Sequence, residues 1–459
     1  MRKFILLLIV FGFFSCKKSD LTIISGQIEN NVAEHIMIGG IDFQTVIPVK
    51  EDGSFADTLH LENDGIYRLI LGRNQNEIYL EKGKELHITG NAENPEEGLD
   101  FSGSLGTINK FLQEKMQWQR KNLNYREIFS LGETEFLSAV ENHKKKLDSV
   151  FKSYKISNKK FAAFQEDEQV FFEGFMIESY LDAHRYYTEN NSAGVSSSFY
   201  DRLSSVNFRD TTSFKISPNY QKMLQSHYQR LASEAVESGE HENYNLKFVE
   251  IIDQNFPNSS VKDKMLYEFL QFGFSPDEYL DTIYEIYKNS NPAPENLENI
   301  TARYVKLLNL TKGNPSPEFV DYENYHGGTT SLEDLKGKIT YIDIWATWCG
   351  PCIREIPYLK EIEKDYQDLQ VVSISVDVEK DYDKWRQFIE SEDLKGIQLM
   401  SDSNWRSEFI RNFDVNGIPR FILLDAEGHI ITAVAPRPSE PLLREMLDEI
   451  YAGQVQPEI

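Results

Sequence analysis

The chain has 459 residues, 40% of them hydrophobic, and its formal net charge is −25 because 73 acidic side chains outnumber 48 basic ones. The length exceeds that of one ordinary domain and predicts two or three. The charge argues against a nucleic-acid partner, because phosphates require a basic face and none is apparent in so acidic a sequence. The three cysteines, Cys16, Cys349 and Cys352, are too few for a fold held together by structural disulfides.

The first 15 residues have the pattern of a signal peptide. Arg2 and Lys3 form a short basic region, and residues 4–14 form an apolar run. That run is too short to cross a bilayer as a helix, so it predicts an export signal. We therefore expect the mature protein outside the cytoplasm, where disulfides persist.

Cys16 follows the apolar run directly, after the small residue Ser15. This arrangement resembles the processing site of bacterial lipoproteins, with Phe13 where Leu is usual in that family. The resemblance implies that Cys16 becomes the lipidated first residue and that residues 16–20 form a tether. It places the protein in the bacterial cell envelope, facing the periplasm or displayed at the cell surface. The alternative is an ordinary signal peptide followed by an unrelated cysteine.

Residues 21–103 are predicted to form a β-rich domain. Short apolar runs alternate with turn signals, and Asp52-Gly53 predicts a hairpin turn. Strands this short and evenly spaced indicate a small sandwich or barrel. Turn patterns recur at Gly26 and at residues 52–55, 81–83 and 101–104. They resemble the N-terminal β-domain that precedes thioredoxin-like domains in envelope lipoproteins of Bacteroidetes.

Residues 104–312 are predicted to form an α-helical domain, because apolar residues recur there at helical spacing. Residues 157–187 are rich in aromatic side chains, which at this spacing are more often core than a cofactor site. Ser275 and Pro276 predict the start of a helix, with Ser as the N-cap and Pro at the first helical position. The segment carries no motif with recognisable chemistry, so we expect it to space, dock or cover the domain that follows.

Residues 313–459 contain the motif with the clearest chemistry. An apolar run at 339–345 predicts a buried strand, and a helix-forming run begins at 353. Between them lie seven residues, and the last five are Trp348, Cys349, Gly350, Pro351 and Cys352. Two cysteines at this spacing, between a strand and a helix, are typical of a thioredoxin-like redox site. Half of a zinc site is the alternative, but no second cysteine pair exists, and His326 and His429 are isolated in the sequence.

The remaining elements of this region indicate an α/β domain with a mixed sheet. A second strand is predicted at 370–377. Residues 417–425 lead into a third strand, which turns back through 426–428, and a closing helix is predicted at 442–451. Five segments carry a family pattern: 336–338, 343–352, 354–357, 375–377 and 417–419. They resemble the thioredoxin superfamily, and within it the membrane-tethered extracytoplasmic branch that includes TlpA and ResA. The whole chain is thus predicted to be a multidomain α+β protein: a β-sandwich or barrel-like module, a helical middle and a C-terminal thioredoxin-like fold.

The two cysteines are expected to have different roles. Cys349 would be the nucleophile, since unpaired N–H groups and the dipole at a helix N-terminus stabilise a thiolate. Cys352, one turn inside the helix and more buried, would resolve the mixed disulfide. Gly350 and Pro351 keep the turn tight, and the same pair in strongly reducing thioredoxins implies a reductase.

Two carboxylates are candidates for taking the proton from Cys352. Asp343 has the position of the buried acid of thioredoxin, and Glu355 matches the acid of the ResA-like branch. A buried carboxylate with a raised pKa accepts a proton readily near neutral pH. The sequence leaves open which of the two dominates, and either of them is alternatively a residue without a catalytic role.

The substrate surface is expected around Pro419. The resemblance implies a cis Ile418–Pro419 bond facing the disulfide, with the Ile418 backbone pairing with an extended substrate segment. An ordinary trans turn is the alternative. Arg420 replaces the Thr common at the next position, and Trp348 is expected to flank the cysteines at the surface.

These features predict an envelope-anchored thiol–disulfide oxidoreductase that reduces disulfide-containing envelope proteins. No NADPH or flavin motif and no metal site is recognisable, so the electrons are expected from a membrane donor of the thiol–disulfide transporter type. A disulfide oxidase or isomerase is the alternative within this class, while a peroxiredoxin fits the Cys-Gly-Pro-Cys pair less well. A ligand-binding lipoprotein, in which residues 21–312 capture a ligand and the redox domain is ancillary, is the alternative from another class.

Overall fold

The computed structural model describes residues 20–30, 33–72, 74–93 and 98–454. The predicted signal peptide and Cys16 lie outside this range. The chain divides into two compact units, one ending at Glu237 and the other beginning at Ser238. The helices of residues 104–312, predicted as one domain, are therefore shared between the units. Within the described ranges, no helix combines the length and apolar character needed to span a membrane.

Two four-stranded sheets form the start of the first unit. Their strand orders are β4-β1-β7-β8 and β3-β2-β5-β6. The strands are β1 (Thr22–Glu29), β2 (His35–Gly39), β3 (Gln44–Pro48), β4 (Ser54–Leu59), β5 (Gly65–Leu71), β6 (Asn74–Leu80), β7 (Glu85–Asn91) and β8 (Asp100–Ser102). Alternating burial along β1 places Ile24 and Ile28 inside, and one core cluster draws apolar side chains from both sheets.

The predicted hairpin at Asp52-Gly53 was wrong. β3 pairs with β2 and β4 pairs with β1, so the turn crosses from one sheet to the other. Gly53 has a φ of 79°, and the Ser54 N–H donates to Asp52 Oδ1 at 2.9 Å. The dipeptide therefore does form a tight turn, but turn chemistry alone does not determine which strands pair.

Helices complete the first unit. They are α1 (Gly106–Asn122), α2 (Tyr125–Ser130), α3 (Glu133–Ser153), α4 (Lys159–Thr188), α5 (Thr211–Ile216) and α6 (Pro218–Glu237). The aromatic-rich stretch forms α4, and Phe161, Phe172 and Tyr180 are buried in core clusters. Phe164 and Phe175 are only partly buried, and both line a cavity.

The second unit begins with four helices, α7 (Tyr244–Asn255), α8 (Ser260–Gly273), α9 (Leu280–Asn289) and α10 (Pro294–Leu308). The predicted helix start at Ser275-Pro276 was wrong, because α9 begins only at Leu280. The Asp277 carboxylate accepts a hydrogen bond from the Tyr279 N–H at 2.9 Å. This local side-chain bond satisfies the backbone in a turn and competes with helix formation.

A seven-stranded mixed sheet forms the rest of the second unit, in the order β10-β9-β13-β12-β11-β14-β15. Its elements are β9 (Tyr322–Asn324), β10 (Thr329–Thr330), β11 (Thr340–Trp345), α11 (Gly350–Asp365), β12 (Gln370–Ser375), α12 (Tyr382–Ser391), β13 (Ile397–Met400), α13 (Glu408–Asn412), β14 (Arg420–Leu424), β15 (Ile430–Thr432) and α14 (Pro441–Gln454). The central strand β11 runs parallel to β12 and antiparallel to β14, which confirms the predicted mixed sheet. All six residues of β11 are buried, as expected for a strand covered on both faces.

Candidate active site

A disulfide closes the N-terminus of α11. The Sγ atoms of Cys349 and Cys352 are 2.01 Å apart. Cys349 is the N-cap of the helix, and its Sγ accepts a hydrogen bond from the Cys352 N–H at 3.2 Å. Pro351 lies in the first turn, where a missing N–H costs no hydrogen bond. The helix end therefore directs an N–H group at the sulfur that the sequence predicts as the nucleophile.

The surface around the disulfide is formed by its flanking residues. Trp348 is 54% exposed and Gly350 is exposed, while Pro351 is half-buried. Cys349 and Cys352 are themselves 4% and 3% exposed, so the expected difference in burial between them is absent from the disulfide form. A substrate would reach Cys349 through the surface that Trp348 and Gly350 present.

The loop between β11 and the disulfide is anchored by Asp377, to which the sequence analysis assigned no role. Its carboxylate accepts hydrogen bonds from the Thr347 N–H at 2.9 Å, from Thr347 Oγ1 at 3.0 Å and from Ser375 Oγ at 2.8 Å. Asp377 is buried, so these bonds are protected from water. The only pattern in the sequence that could have indicated this role is Ser-x-Asp at the end of a buried strand.

The loop of Pro419 lies at the same end of the sheet. The Ile418–Pro419 peptide bond is cis, as predicted. β14 begins at the next residue, Arg420, which stands opposite Ile344 near the carboxyl end of β11. From that end the chain continues to Cys349, so this register brings the loop of Pro419 and the disulfide to one edge. The Arg420 guanidinium donates to the carbonyl oxygen of Ala433 at 3.3 Å.

Asp343 lies in the middle of β11 and is 7% exposed. Its Oδ1 atom has no hydrogen-bond partner among the described residues. Burial raises the pKa of Asp343 to about 8, with a further contribution from the charge of Glu355. Ile356 lines a small cavity beside Asp343, and Cys352 lies one turn earlier on the same helix face. The buried acid therefore lies beside the helix that carries Cys352.

The cavity beside Asp343 has a volume of about 10 Å³. That is close to the volume that one water molecule needs. Two more lining residues have a buried polar atom without a protein partner in the described part of the chain, Trp345 Nε1 and Gln398 Oε1. Lys360 and Glu363, which are more exposed, line it as well.

Glu355, on α11, is 8% exposed but has a different environment. Its Oε2 accepts a hydrogen bond from the Ser439 N–H and its Oε1 accepts one from the Ser439 hydroxyl, each at 3.0 Å. Arg437 Nη1 lies 4.0 Å from Oε1. Both carboxylate oxygens thus have a hydrogen-bond donor.

A further carboxylate, Asp414, lies five residues before Pro419 and forms ion pairs with α10. Its Oδ2 accepts a hydrogen bond from Arg303 Nε at 2.8 Å, and its Oδ1 accepts one from Lys306 Nζ at 3.1 Å. Burial raises the pKa of Asp414, but the two cations outweigh that effect and the net shift is downward. The helical segment of this unit is therefore joined by charge to the loop that leads to Pro419.

One group of side chains has the geometry to hold a cation. Candidate ligand atoms of Asp425, Glu427 and His429 lie within 4.8 Å of one another, at the turn between β14 and β15. His429, which is isolated in the sequence, is thus near two carboxylates in the fold. The group includes neither cysteine, so it does not turn the Cys349–Cys352 pair into half of a zinc site.

A disulfide at the start of a helix, an opposing proline loop and a buried acid on the central strand define a thioredoxin-like thiol–disulfide oxidoreductase. Residues 311–447 match the family model named Redoxin. The thiol–disulfide oxidoreductase ResA of Bacillus thuringiensis is 30% identical over 147 residues, which cover 32% of this chain and 83% of that protein. ResA of Bacillus subtilis is 26% identical and is covered to 79% of its length. The chain therefore belongs to the thioredoxin superfamily, with a ResA/TlpA-like C-terminal domain.

Solved structures from Bacteroides are also similar in this region. A solution structure of a candidate thiol–disulfide oxidoreductase from Bacteroides vulgatus is 46% identical, with 32% of this chain and 94% of that chain covered and a TM-score of 0.28. A thiol–disulfide oxidoreductase from Bacteroides fragilis is 24% identical, with 30% and 99% covered and a TM-score of 0.27.

Proposed function

We propose that this oxidoreductase reduces disulfides of envelope proteins while it is anchored to a membrane through Cys16. The observation that carries the proposal is that the site contains both the Cys349–Cys352 disulfide and a buried acid, Asp343. The pKa of Asp343, about 8, suits proton transfer near neutral pH. Thiol–disulfide exchange needs a nucleophilic thiolate, a resolving thiol and a proton acceptor, and three residues on β11 and α11 supply them.

The reduced enzyme would react in two steps. The Cys349 thiolate attacks one sulfur of the substrate disulfide, forms a mixed disulfide and releases the other substrate sulfur as a thiolate, which takes a proton from water. Cys352 then gives its proton to the Asp343 carboxylate and attacks Cys349 Sγ. The enzyme disulfide forms, and the second substrate sulfur leaves as a thiol or thiolate. Two electrons pass from the enzyme dithiol to the substrate.

The electrostatics around the pair support the reducing direction. A disulfide is a strong oxidant when its reduced, thiolate form is stabilised, as in DsbA. Here the helix N-terminus favours the Cys349 thiolate, but the burial of both cysteines in the disulfide form opposes negative charge on them. An opposed thiolate makes the dithiol a better electron donor.

Glu355 would serve mainly to hold structure rather than to accept the proton. Two hydrogen bonds from Ser439 hold both of its carboxylate oxygens in place. Asp343 Oδ1 has no such partner in the described part of the chain, so we assign Asp343 as the acceptor. A water in the small cavity beside it would carry the proton on to solvent near Lys360 and Glu363.

Regeneration requires a dithiol donor outside the chain. We propose a membrane thiol–disulfide transporter in that role, in agreement with an export signal and a lipid at Cys16. Labelled fatty acid supplied to growing cells should enter the protein and should be lost in Cys16→Ala. Label retained in Cys16→Ala would contradict the anchor without affecting the redox proposal.

A trapping experiment tests the redox proposal. Cys352→Ser leaves Cys349 able to attack but removes the resolving thiol, so mixed disulfides with envelope proteins should accumulate in cells. Cys349→Ser should form none and should lose reduction of insulin disulfides. Cys16→Ser is the matched control, since it removes the remaining cysteine outside the pair, and its purified form should reduce insulin like the wild type. Absence of any adduct in Cys352→Ser, with insulin reduction absent in the wild type, would overturn the proposal.

A further inference from the structure

The first compact unit contains a cavity of about 230 Å³. Helices α1 and α4 supply most of its apolar lining, including Leu112, Phe164, Phe172 and Phe175. An apolar cavity of about 150 Å³ already binds benzene. The volume therefore suffices for one ring or a short chain with a small polar group attached.

A buried cation lies in the wall of this cavity. Lys115 is 8% exposed, and its Nζ is 3.4 Å from Gln165 Oε1, a long contact. Within the described ranges it forms no ion pair, although an ammonium group has three donors. The Gln165 amide is also incompletely satisfied, because its Nε2 is buried without a partner. Burial of a charge is costly unless acceptors surround it, so this wall lacks an acceptor.

The nearby carboxylate of Glu168 does not supply that acceptor. It is buried and receives hydrogen bonds from the Ser217 hydroxyl and, at 2.9 Å, from Asn219 Nδ2. Burial raises the pKa of Glu168, although the charge of Lys115 acts in the opposite direction. A carboxyl that holds its proton more readily compensates a lysine less.

Two further cations surround the opening. Arg120 and Lys222 line the cavity and are exposed, and in the part of the chain that the structure describes neither takes part in an ion pair. Glu77 is the other acidic residue of the lining besides Glu168. The chain as a whole has a net charge of −25. Around this aromatic cavity, however, three cations form no ion pair with the described residues, so the cavity favours an anionic ligand.

We propose that this cavity binds a small organic carboxylate, with its carboxylate on Lys115 and its apolar body against Phe164, Phe172 and Phe175. The bound carboxylate would supply the acceptor that Lys115 lacks, while the ring or chain fills the apolar space. Arg120 and Lys222 attract the anion to the opening. The site is independent of the redox centre, so its test does not depend on disulfide exchange.

Calorimetric titration of the purified chain with three matched probes tests separately what the ligand's negative charge and its apolar part contribute to binding. Phenylacetate should bind saturably at about millimolar concentration or tighter. Its neutral amide, phenylacetamide, has the same body and should bind about tenfold more weakly or worse, and acetate, which lacks the body, should not bind measurably. Absence of saturable phenylacetate binding, or equal binding of the amide, would overturn the proposal.

Substitutions of residues in and near the cavity test where phenylacetate binds. Lys115→Met should weaken phenylacetate binding about tenfold or more without lowering the melting temperature, because removal of a poorly compensated buried charge is neutral or stabilising. Lys121→Met is the control, since Lys121 is exposed on α1 and does not line the cavity. Met116→Trp fills the cavity from its lining and should abolish binding, with circular dichroism reporting the fold. Wild-type affinity in Lys115→Met would contradict the assignment.

Discussion

Two carboxylates of the candidate active site are buried to the same degree but have opposite surroundings. Asp343 is 7% exposed and Glu355 is 8% exposed. Ser439 donates hydrogen bonds to both oxygens of Glu355, whereas Oδ1 of Asp343 has no partner among the described residues. Burial alone therefore does not determine what a carboxyl group does. Hydrogen-bond donors hold Glu355 in place, whereas burial, together with the charge of Glu355, raises the pKa of Asp343 to about 8.

The largest expected consequence of this difference concerns stability. The pKa of Asp343 in the fold, about 8, is above its ordinary value of 3.8. The folded state therefore holds this proton to higher pH than the unfolded state, and the stability of the disulfide form should fall as the pH rises between those values. The loss is of the order of 5 kcal/mol.

Urea unfolding of the second unit, followed by tryptophan fluorescence across that pH range, measures this loss. Asp343→Asn should remove most of the decline and be more stable than the wild type at the alkaline end. Glu361→Gln, a change at an exposed position of α11, should keep the wild-type slope. A wild-type slope in Asp343→Asn would show that another group titrates.

The next effect is on the rate of resolution. Asp343→Asn should slow the attack of Cys352 on a mixed disulfide by about 10²-fold, the usual contribution of a general base. The acceptor must be ionised, so the wild-type rate should rise with pH towards about 8, and this rise should be absent from the variant. Stopped-flow measurement of the release of a chromogenic thiol reports both quantities.

The substitution Glu355→Gln tests the second carboxylate of the comparison. The amide nitrogen would face a donor of Ser439, so we expect a loss of about 1–3 kcal/mol in stability. The rate of resolution should change by less than about tenfold and should keep its pH dependence. Ser439→Ala removes one donor and should lose about 1 kcal/mol. A larger rate loss in Glu355→Gln than in Asp343→Asn would reverse the assignment.

Asp414 extends the comparison to a carboxylate that is paired with cations. Of the substitutions proposed, Asp414→Asn should have the smallest effect on the rate of disulfide exchange. Asp414→Asn preserves a residue that tolerates the φ of 52° found there but removes the charge held by Arg303 and Lys306. The loop of Pro419 should then be less well positioned, and KM for a protein disulfide should rise about threefold to tenfold. Reduction of a small disulfide and the redox potential should stay unchanged, and a shift of the potential would refute a positioning role.

The sequence predicted the parts of the site that depend on local order. Cys349, Cys352 and Pro351 follow from the chemistry of a helix start, and the burial of Asp343 follows from a continuous apolar strand. The mixed sheet was predictable because its central strands are long and apolar. The roles assigned to these residues remain predictions.

The partners of these residues were not predictable. Glu355 and Ser439 are 84 positions apart, and Arg303 and Asp414 are 111 apart, so no local pattern connects them. The same limit explains the wrong hairpin at Asp52-Gly53, where long-range pairing decided the topology. The same limit explains why the sequence did not predict a binding role for Lys115. A single lysine in an amphipathic helix points to a site only when tertiary packing buries it.

The redox potential of the Cys349–Cys352 pair tests the central claim most directly. The purified chain would be equilibrated with defined ratios of reduced and oxidised dithiol buffer, and the reduced fraction read from tryptophan fluorescence. A reductase whose buried cysteines disfavour the thiolate should have a potential of about −270 mV, like thioredoxin. A value of about −120 mV, that of a strong oxidant such as DsbA, would contradict the proposed direction of electron flow.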